Sequence, residues 1–326
     1  MYSNQWIYVS IILIILIILI WVYIYQLFPN KYEHFENETK SSRQIPTKDE
    51  LQKNYKLITL KKQQNVYDKS YVLLYTKLFD DYKNKLTVYS INDLVKNTKL
   101  LEYGSRAVIA DLGCGTGTHL VTITQQKIKP RLYGVDTSRQ MLDKAHSVLK
   151  AYTPTVRLLE TSFDYKNALT TNTFTHITCY YFSFYYSKNH KQLLQNIYKW
   201  LVNGGFFCVH LVDINKFDPV LDAANPFIGI SLQSYMSKRK RDSVIILNDC
   251  IYQSNFTYHP SKNIAYFNEN IIYDKENTYR KNIHKLNVST HNQIIEDARL
   301  IGFKLRNITP LYNLGYEYQY LCYLQK

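Results

Sequence analysis

The sequence predicts a doubly wound α/β domain, in which helices cover both faces of a largely parallel sheet. From residue 107 onward, short apolar runs alternate with segments of helical spacing, as in a parallel sheet with crossover helices. A glycine-rich turn, 113-GCGTG-117, follows the first apolar run, and ligands of such sheets bind at the carboxyl ends of the strands. The candidate strands are 107-AVIADL, 131-RLYGV, 156-VRLLE, 174-FTHITCYY and 205-GFFCVHLV, and the helices between them are 138-SRQMLDKAHSVLKAY and 189-NHKQLLQNIYKWL. Ser138 is placed to cap the first of these helices, and Asn203, Gly204 and Gly205 are expected to end the second and to turn the chain into the next strand.

Composition limits the classes of protein to consider. The chain has 326 residues, enough for one or two domains with a full core. Lys and Arg outnumber Asp and Glu by 40 to 26, and a net charge of +14 indicates affinity for nucleic acid or acidic lipid. The five cysteines have no CxxC spacing, which argues against zinc and against a disulfide framework. We therefore predict buried free thiols and no metal site.

The first predicted element is a transmembrane anchor within residues 1–30. Residues 6–28 carry no charge, and a helix of that length spans roughly 35 Å, enough for a hydrocarbon core. Aromatic residues lie at both ends of the run, as they do at membrane interfaces. A cleaved signal peptide fits less well, since the run is long and neither a basic leader nor a small-residue cleavage site flanks it.

The charges that flank this run predict its orientation. No Lys or Arg precedes it, whereas Lys31, Lys40, Arg43 and Lys48 follow it. The positive-inside rule then places the N-terminus outside and the body of the protein in the cytosol. The polar residues 31–50 predict a tether, and residues 51–326 are expected to form the folded domain.

The glycine turn differs from that of a dinucleotide site. Gly113, Gly115 and Gly117 give GxGxG, and Thr118 stands where a third dinucleotide glycine belongs. Asp111 precedes the turn and would repel a pyrophosphate. A carboxylate there suits a ligand with an ammonium group and no phosphate, which describes S-adenosylmethionine (SAM).

A second acidic residue, Asp136, ends the next predicted strand, 23 positions after Gly113. An acid at that place accepts hydrogen bonds from ribose hydroxyls. Glycine turns and strand-end acids are each common alone, but the order strand, loop, helix, strand and acid predicts a nucleoside site.

Three stretches, DLGCGTGTH, YGVDTSRQML and WLVNGGFFCVHLV, resemble the class I SAM-dependent methyltransferase family. The resemblance runs from about residue 65 to the C-terminus. It implies a seven-stranded Rossmann-like sheet in the order 3-2-1-4-5-7-6, with strand 7 antiparallel. Residues 292–309 resemble the last helix and strand 6, and residues 316–325 resemble strand 7.

A narrower resemblance is to predicted membrane-anchored methyltransferases of large DNA viruses. It rests on the N-terminal anchor, on the Tyr-rich stretch 66-VYDKSYVLLYTKLF, and on ITCYYFSFYY at strand 4. It implies a viral protein held in a host or virion membrane.

The family resemblance also implies site residues. The glycine turn and Asp111 would line the methionine part of SAM, and Asp136 would hold the ribose. Tyr67, Tyr71 and Tyr75 share one helix face and would close over the cofactor, or simply pack the helix on the sheet. In 158-LLETSFDY the register leaves Ser162, Phe163 and Asp164 open. The implied cofactor-binding residues are Asp111, Gly113, Gly115, Gly117, Asp136, Phe163 (over the adenine), Asp164 (to its amine), Tyr67 and Tyr75.

Methyl transfer is an in-line displacement that depends on alignment, and a general base is needed only for an acceptor that carries a proton. Candidates at the ends of strands 4 and 5 are Tyr180, Tyr181, Tyr185, His210 and Asp213. We take His210 and Tyr181 as the catalytic candidates, because an unperturbed histidine has the most suitable pKa. A structural histidine in an apolar strand is the alternative.

Residues 214–290 exceed an ordinary connection and predict an insertion that caps the acceptor pocket. Within it, 246-ILNDCIYQSNFTYH and 263-NIAYFNENIIYDK predict a hairpin, and 278-TYRKNIHKLNV a third strand. An aromatic roof favours a small molecule, lipid or peptide side chain as acceptor over a nucleic-acid duplex. The run Lys238, Arg239, Lys240 and Arg241 is either a contact with anionic lipid or a solvated loop.

Three functional hypotheses follow. The first is a membrane-anchored SAM-dependent methyltransferase. The second is a non-catalytic, membrane-tethered scaffold that keeps the fold. The third, an RNA methyltransferase, is motivated by the net charge, although the sequence lacks both [DN]PP[YF] and a Pro-Cys nucleophile at strand 4, the marks of DNA base methylation.

Overall fold

The computed structural model describes Leu16 and residues 44–326, apart from 153–155, 226–230, 232 and 234–237. The chain divides into two compact units, residues 1–54 and 55–326. The predicted anchor, apart from Leu16, lies outside the described residues, as does the predicted tether up to residue 43. Within the described part of the chain, no helix is long and apolar enough to cross a membrane.

In the first unit, the described element is the short helix α1 (Lys48–Asn54), which begins inside the predicted tether. Its start is a capping box. The Thr47 N–H donates to Glu50 Oε2 at 2.8 Å, and the Glu50 N–H donates to Thr47 Oγ1 at 3.3 Å. A local sequence signal therefore converts the end of the polar segment into a helix.

The second unit is built on a mixed seven-stranded sheet. Its order is β11-β12-β6-β5-β2-β3-β4, and β12 runs antiparallel to both of its neighbours. Read from the other edge, this is the predicted order 3-2-1-4-5-7-6, which is confirmed together with the antiparallel strand. The strands are β2 (Val108–Leu112), β3 (Arg131–Asp136), β4 (Val156–Glu160), β5 (Phe174–Cys179), β6 (Leu201–Val212), β11 (Lys304–Pro310) and β12 (Gln319–Gln325).

Helices cover both faces of this sheet. Buried leucines, isoleucines and alanines of α3, α5 and α6 pack on one face, and those of α7 and α8 pack on the other. The Ser138 hydroxyl caps α6 by accepting from the Met141 N–H at 3.2 Å, as the sequence predicts. The helices are α2 (Lys69–Tyr75), α3 (Asp81–Thr98), α4 (Leu100–Tyr103), α5 (Thr118–Thr124), α6 (Arg139–Leu149), α7 (His190–Trp200) and α8 (His291–Ile301), with a π-helical turn (Thr76–Asp80) between α2 and α3.

One predicted boundary is wrong. The sequence predicts that Asn203 to Gly205 end α7, but α7 ends at Trp200 and β6 begins at Leu201. Gly204 has φ +79°, and its N–H donates to the carbonyl of the C-terminal Lys326 at 3.0 Å. The glycines therefore form an irregularity inside β6, not the end of the helix.

The insertion supplies four strands of a second, five-stranded sheet, whose order is β1-β10-β9-β8-β7. The predicted hairpin and third strand are present as β8 (Ile251–His259), β9 (Ile264–Tyr273) and β10 (Thr278–Asn287). Two edge strands were not predicted. One is β7 (Asp242–Ile246), and the other is β1 (Lys56–Lys62), which pairs in parallel with β10 although the two strands lie far apart in the sequence. The helix α2 packs on this sheet through Tyr71, which joins Cys250, Tyr252 and Ile271 in one buried cluster.

Candidate active site

A cavity lies at the carboxyl ends of β2, β5 and β6. Its volume is about 190 Å³. It is lined by residues of the glycine turn, of α2 and α3, and of strands β8, β9 and β10 of the five-stranded sheet, the second sheet of the protein. This is the edge at which a doubly wound sheet binds its ligands. Of the predicted site residues, Tyr67, Tyr75, Asp111, Gly113, Gly115, Tyr181 and His210 line it.

Asp111 is buried where β2 meets this cavity. Its Oδ1 accepts a hydrogen bond of 2.7 Å from the Thr178 hydroxyl, whereas its Oδ2 is buried without a partner among the described residues. Burial raises the pKa of Asp111 to about 7, although the Thr178 hydrogen bond opposes that shift. An unsatisfied carboxylate oxygen is costly to bury, so a cation that reaches Oδ2 would be bound strongly.

The three glycines of the turn have different surroundings. A Cβ on Gly113, which has φ +70°, would lie 2.5 Å from Ser183 Oγ. A Cβ on Gly115 would meet nothing within 4 Å, so the backbone there faces open space. A Cβ on Gly117 would press on Ala145 at 3.1 Å and Leu149 at 3.2 Å. The structure thus places Gly117 against α6, away from the cavity.

Asp136 holds the turn against β3. Its Oδ2 accepts from the Gly115 N–H at 3.0 Å, and its Oδ1 accepts from the Ser138 N–H at 2.9 Å. Burial raises the pKa of Asp136, and these backbone hydrogen bonds lower it in part. Asp136 does not line the cavity. Its carboxylate has about four acceptor sites and accepts from the backbone of Gly115, Thr137 and Ser138, so an acceptor site remains for a further donor.

The two residues predicted around an adenine ring also lie outside the cavity lining. Phe163 is buried in the core on the α7 side of the sheet. Asp164 accepts from the Ser187 hydroxyl and from the Lys188 N–H at 3.1 Å. It therefore braces the turn that leads into α7.

The tyrosines predicted to share a helix face do come together. Tyr67 precedes α2, and its ring centroid lies 5.8 Å from that of Tyr71 and 6.2 Å from that of Tyr75. Asp68 caps the helix between them by accepting from the Tyr71 N–H at 3.1 Å. All three rings line the cavity.

The two predicted catalytic residues lie side by side. The ring centroids of Tyr181 and His210 are 6.3 Å apart. His210 Nε2 is buried with no partner in the described structure, and burial, with the charge of Lys83, lowers the pKa of His210 to about 3. Tyr181 has φ +51°, its hydroxyl bonds to Thr87 Oγ1 at 2.5 Å, and burial raises its pKa.

Several cavity residues were missed from the sequence. Lys83 of α3 lies over the Tyr181 ring at 4.4 Å, and burial lowers its pKa. His119 stacks on Tyr180 at 4.5 Å and has a pKa lowered to about 3 by burial. His119 directly follows the glycine turn, so its position was readable, whereas nothing in the pattern of α3 marks Lys83.

Two sequence expectations concern other parts of the chain. All five cysteines are buried and none of them forms a disulfide, and no cluster among the described residues could hold a metal ion. In the predicted lipid-binding run, Arg239 points into the fold, where its guanidinium donates to the carbonyls of Ile214, Asn215 and Phe217. Lys238, Lys240 and Arg241 are exposed.

Comparison with known proteins identifies the kind of domain. A family model for methyltransferase domains matches residues 109–205. A SAM-dependent methyltransferase from Clostridium acetobutylicum superposes with a TM-score of 0.56 at 16% identity, over 78% of this chain and 97% of that chain. Residues 109–205 therefore match a methyltransferase domain, on a fold that this SAM-dependent enzyme shares.

Other relatives agree on the cofactor. The SAM-bound CalS10, an amino pentose methyltransferase from Micromonospora echinaspora, matches this domain with a TM-score of 0.52 at 14% identity, over 80% of this chain and 98% of that chain. The carboxy-S-adenosyl-L-methionine synthase of Campylobacter lari is 26% identical over 132 residues. That match covers 40% of this chain and 56% of the relative, so the chain spans little more than half of that enzyme's length.

The methyltransferase domain has groups that fit SAM. The unpartnered Asp111 Oδ2 suits the ammonium of the methionine moiety, and the open side of Gly115 leaves room for a ligand against the backbone. The expected relation to viral, membrane-anchored enzymes stays a prediction.

Proposed function

We propose that the protein is a SAM-dependent methyltransferase that acts on a small acceptor and is held at a membrane by residues 6–28. The observation that carries the enzymatic part is the buried, unpartnered Oδ2 of Asp111 beside the open face of Gly115. A scaffold that binds no cofactor would have no use for an unsatisfied carboxylate oxygen at that place.

The residues have separable roles in this proposal. Asp111 binds the ammonium group, Gly115 permits close approach, and Asp136 fixes the turn while offering free lone pairs to ribose hydroxyls. The cofactor supplies an activated methyl group on a sulfonium. The tyrosines around α2 exclude water and hold the acceptor in line with the methyl group. Most of the acceleration of a displacement arises from this alignment.

The lining of the cavity supports a small acceptor with an apolar or aromatic part. Phe182, Phe217, Phe256 and Phe267 join the tyrosines in lining it, and strands β8 to β10 form one of its walls. A cavity with such a wall is inaccessible to a duplex. A lipid or a peptide side chain is the other acceptor compatible with a membrane-held enzyme.

Calorimetric titration of the full-length protein with SAM and with S-adenosylhomocysteine tests the enzymatic proposal. Wild type is expected to bind both, and Asp111→Asn is expected to lose at least tenfold in affinity. Glu160→Gln is the matched control, because Glu160 is an exposed acid that ends β4 and pairs with Arg139. A folded protein that binds neither ligand would be a scaffold.

Membrane attachment is tested separately, by expressing the full chain and extracting the membranes at alkaline pH. The uncharged run supports retention of the protein in the membrane pellet, and the flanking charges support protease access to the body from the cytosolic side. Release of the protein into the supernatant would contradict an anchor. Weaker binding of Lys238→Ala/Lys240→Ala/Arg241→Ala to vesicles containing phosphatidylserine would support a lipid contact.

A further inference from the structure

A buried carboxylate in the second sheet is linked to the cavity through hydrogen bonds. Glu269 of β9 is fully buried, and it accepts from the Tyr71 hydroxyl, from the Tyr252 hydroxyl at 2.6 Å and from Asn282 Nδ2 at 3.0 Å. Its fourth partner is His284 Nε2, at 2.9 Å. Burial alone would raise the pKa of Glu269, but His284 and the other donors outweigh it and lower the pKa, so the carboxylate is ionised.

This arrangement fixes the tautomer of His284. An ionised carboxylate accepts only, so Nε2 of His284 carries a hydrogen, and in the neutral imidazole, the form that can act as a base, Nδ1 is the acceptor. The Tyr186 hydroxyl lies 2.7 Å from Nδ1 and is the donor to that neutral ring. The Tyr186 oxygen can then accept in turn, and in this structure the Tyr67 hydroxyl lies 3.1 Å away.

The chain of hydrogen bonds ends where an acceptor would bind. Tyr186 and His284 line the cavity, whereas Glu269 does not. Tyr186 belongs to the turn Ser183–Tyr186, whose first residue lies against Gly113 of the glycine turn. The chain of hydrogen bonds, which is also a path for a proton, therefore reaches the cavity close to the proposed cofactor site.

We infer that His284, acting through Tyr186 and oriented by Glu269, is the general base of the methyl transfer, and that the acceptor is a hydroxyl compound of the phenol class. This inference rests on the proposed function. A hydroxyl needs a base because it carries its proton until the transfer, and the aromatic lining suits a ring. His210 has no such carboxylate partner among the residues that the structure describes, and the low pKa of His210 leaves it a weak base.

The proton balance of the step is complete within these residues. The acceptor oxygen forms a bond to the methyl carbon as the carbon–sulfur bond breaks, with its electron pair left on sulfur. The acceptor proton passes to the Tyr186 oxygen while the Tyr186 proton moves to His284 Nδ1. The Glu269 carboxylate stabilises the imidazolium, which later releases its proton to solvent.

The test uses 4-nitrophenol as the probe, with the full-length protein saturated with S-adenosylhomocysteine. At a pH below the pKa of the free phenol, the visible phenolate band reports whether the bound probe has given up its proton. Wild type is expected to show the band, and His284→Gln and Tyr186→Phe are expected to lose it. Glu269→Gln is expected to weaken it, since this residue positions His284. His190→Gln, a buried histidine outside the cavity, is the control that keeps the band.

The outcomes separate this inference from the proposed function. A band that persists in His284→Gln, that disappears in His210→Gln instead, or that is absent from wild type bound to S-adenosylhomocysteine overturns the inference alone. Failure of S-adenosylhomocysteine to bind, measured by calorimetry, overturns the proposed function. If His284→Gln does not unfold cooperatively, Tyr186→Phe decides, because it removes only the hydroxyl of the path.

Discussion

The hydroxyl of Thr178 donates a hydrogen bond to Oδ1 of Asp111 across the paired strands β5 and β2. It fixes the carboxylate and leaves Oδ2 buried without a partner among the described residues. Because the side chain is buried, its pKa is raised to about 7, so Asp111 titrates close to physiological pH.

Cofactor binding is therefore expected to depend on pH through Asp111. Below about pH 7 the carboxyl group is protonated and cannot pair with an ammonium, so the affinity for S-adenosylhomocysteine should fall by up to about tenfold for each pH unit. Calorimetry from about pH 5 to about pH 7 measures this dependence. Asp111→Asn should bind weakly at every pH in that range. An equal slope in wild type and in this variant would assign the titration to another group.

The glycine turn provides a matched pair of substitutions. Gly115→Ala should weaken SAM binding at least tenfold, because the new methyl group enters open space beside the cavity, while positive φ costs about 1–2 kcal/mol of stability. Gly117→Ala should cost more stability, since its Cβ also presses on Ala145, and it should change binding less. Urea unfolding and calorimetry on both variants measure the two effects. The reverse ranking in binding would place Gly117 at the cofactor.

Buried histidines should make the protein less stable in acid. Burial lowers the pKa of His119, His176 and His210 to about 3, below the value of 6.5 expected in the unfolded chain. Their contribution is thus fully present above pH 6.5 and is lost as the pH falls towards 3, by up to about 1.4 kcal/mol for each group and pH unit. Asp111 and Asp136 work in the opposite direction, since their raised pKa values favour the folded state at low pH. They are two groups against four, because burial also lowers the pKa of His190, to about 4.

The variant His176→Gln tests this account by urea unfolding between about pH 4 and 7. His176 lies away from the cavity, with Nε2 3.1 Å from the Thr98 hydroxyl and Nδ1 2.9 Å from the Thr175 hydroxyl. The variant should show a shallower loss of stability in acid and unchanged binding of S-adenosylhomocysteine. An identical pH slope would mean that His176 accepts a proton in the folded state.

The seven-stranded sheet was predictable because its signals are local. Each strand is a short apolar run, and the glycine turn with Asp111 and Asp136 lies within 26 residues. The same local pattern does not separate Gly115 from Gly117, because a glycine that faces open space and a glycine that packs on a helix look alike in a sequence. Ser162, Phe163 and Asp164 share this difficulty, since their register depends on where the chain turns after β4.

The second sheet and its polar residues were predictable only in part. A hairpin can be recognised in a sequence because apolar and polar residues alternate along its strands. The pairing of β1 with β10 joins residues more than 200 positions apart, so no local pattern indicates it. Glu269 and His284 each occupy an ordinary strand position. They acquire a role only because β9 and β10 pair in a register that puts both on one face, opposite Tyr71 and Tyr186.

The ion pair between Arg280 and Asp68 is expected to hold α2 and its tyrosines on the second sheet. Arg280 is buried, and its Nη1 lies 2.8 Å from Asp68 Oδ1, while its Nη2 donates to the carbonyl of Val66 at 2.6 Å. Burial alone would raise the pKa of Asp68, but the arginine outweighs it and lowers the pKa. Asp68→Ser keeps a helix cap but leaves a buried guanidinium without its carboxylate, so it should cost about 3 kcal/mol of unfolding free energy.

Urea unfolding of Asp68→Ser, Arg280→Met and the double variant measures the coupling. The double variant should be less destabilised than the sum of the two single variants, because it leaves no buried charge unpaired. Ser70→Ala, which removes a weaker partner 3.2 Å from Arg280, is the control and should cost about 1 kcal/mol or less. Additive single and double effects would show that the pair contributes no coupling and that α2 is held by the packing of Tyr71 alone.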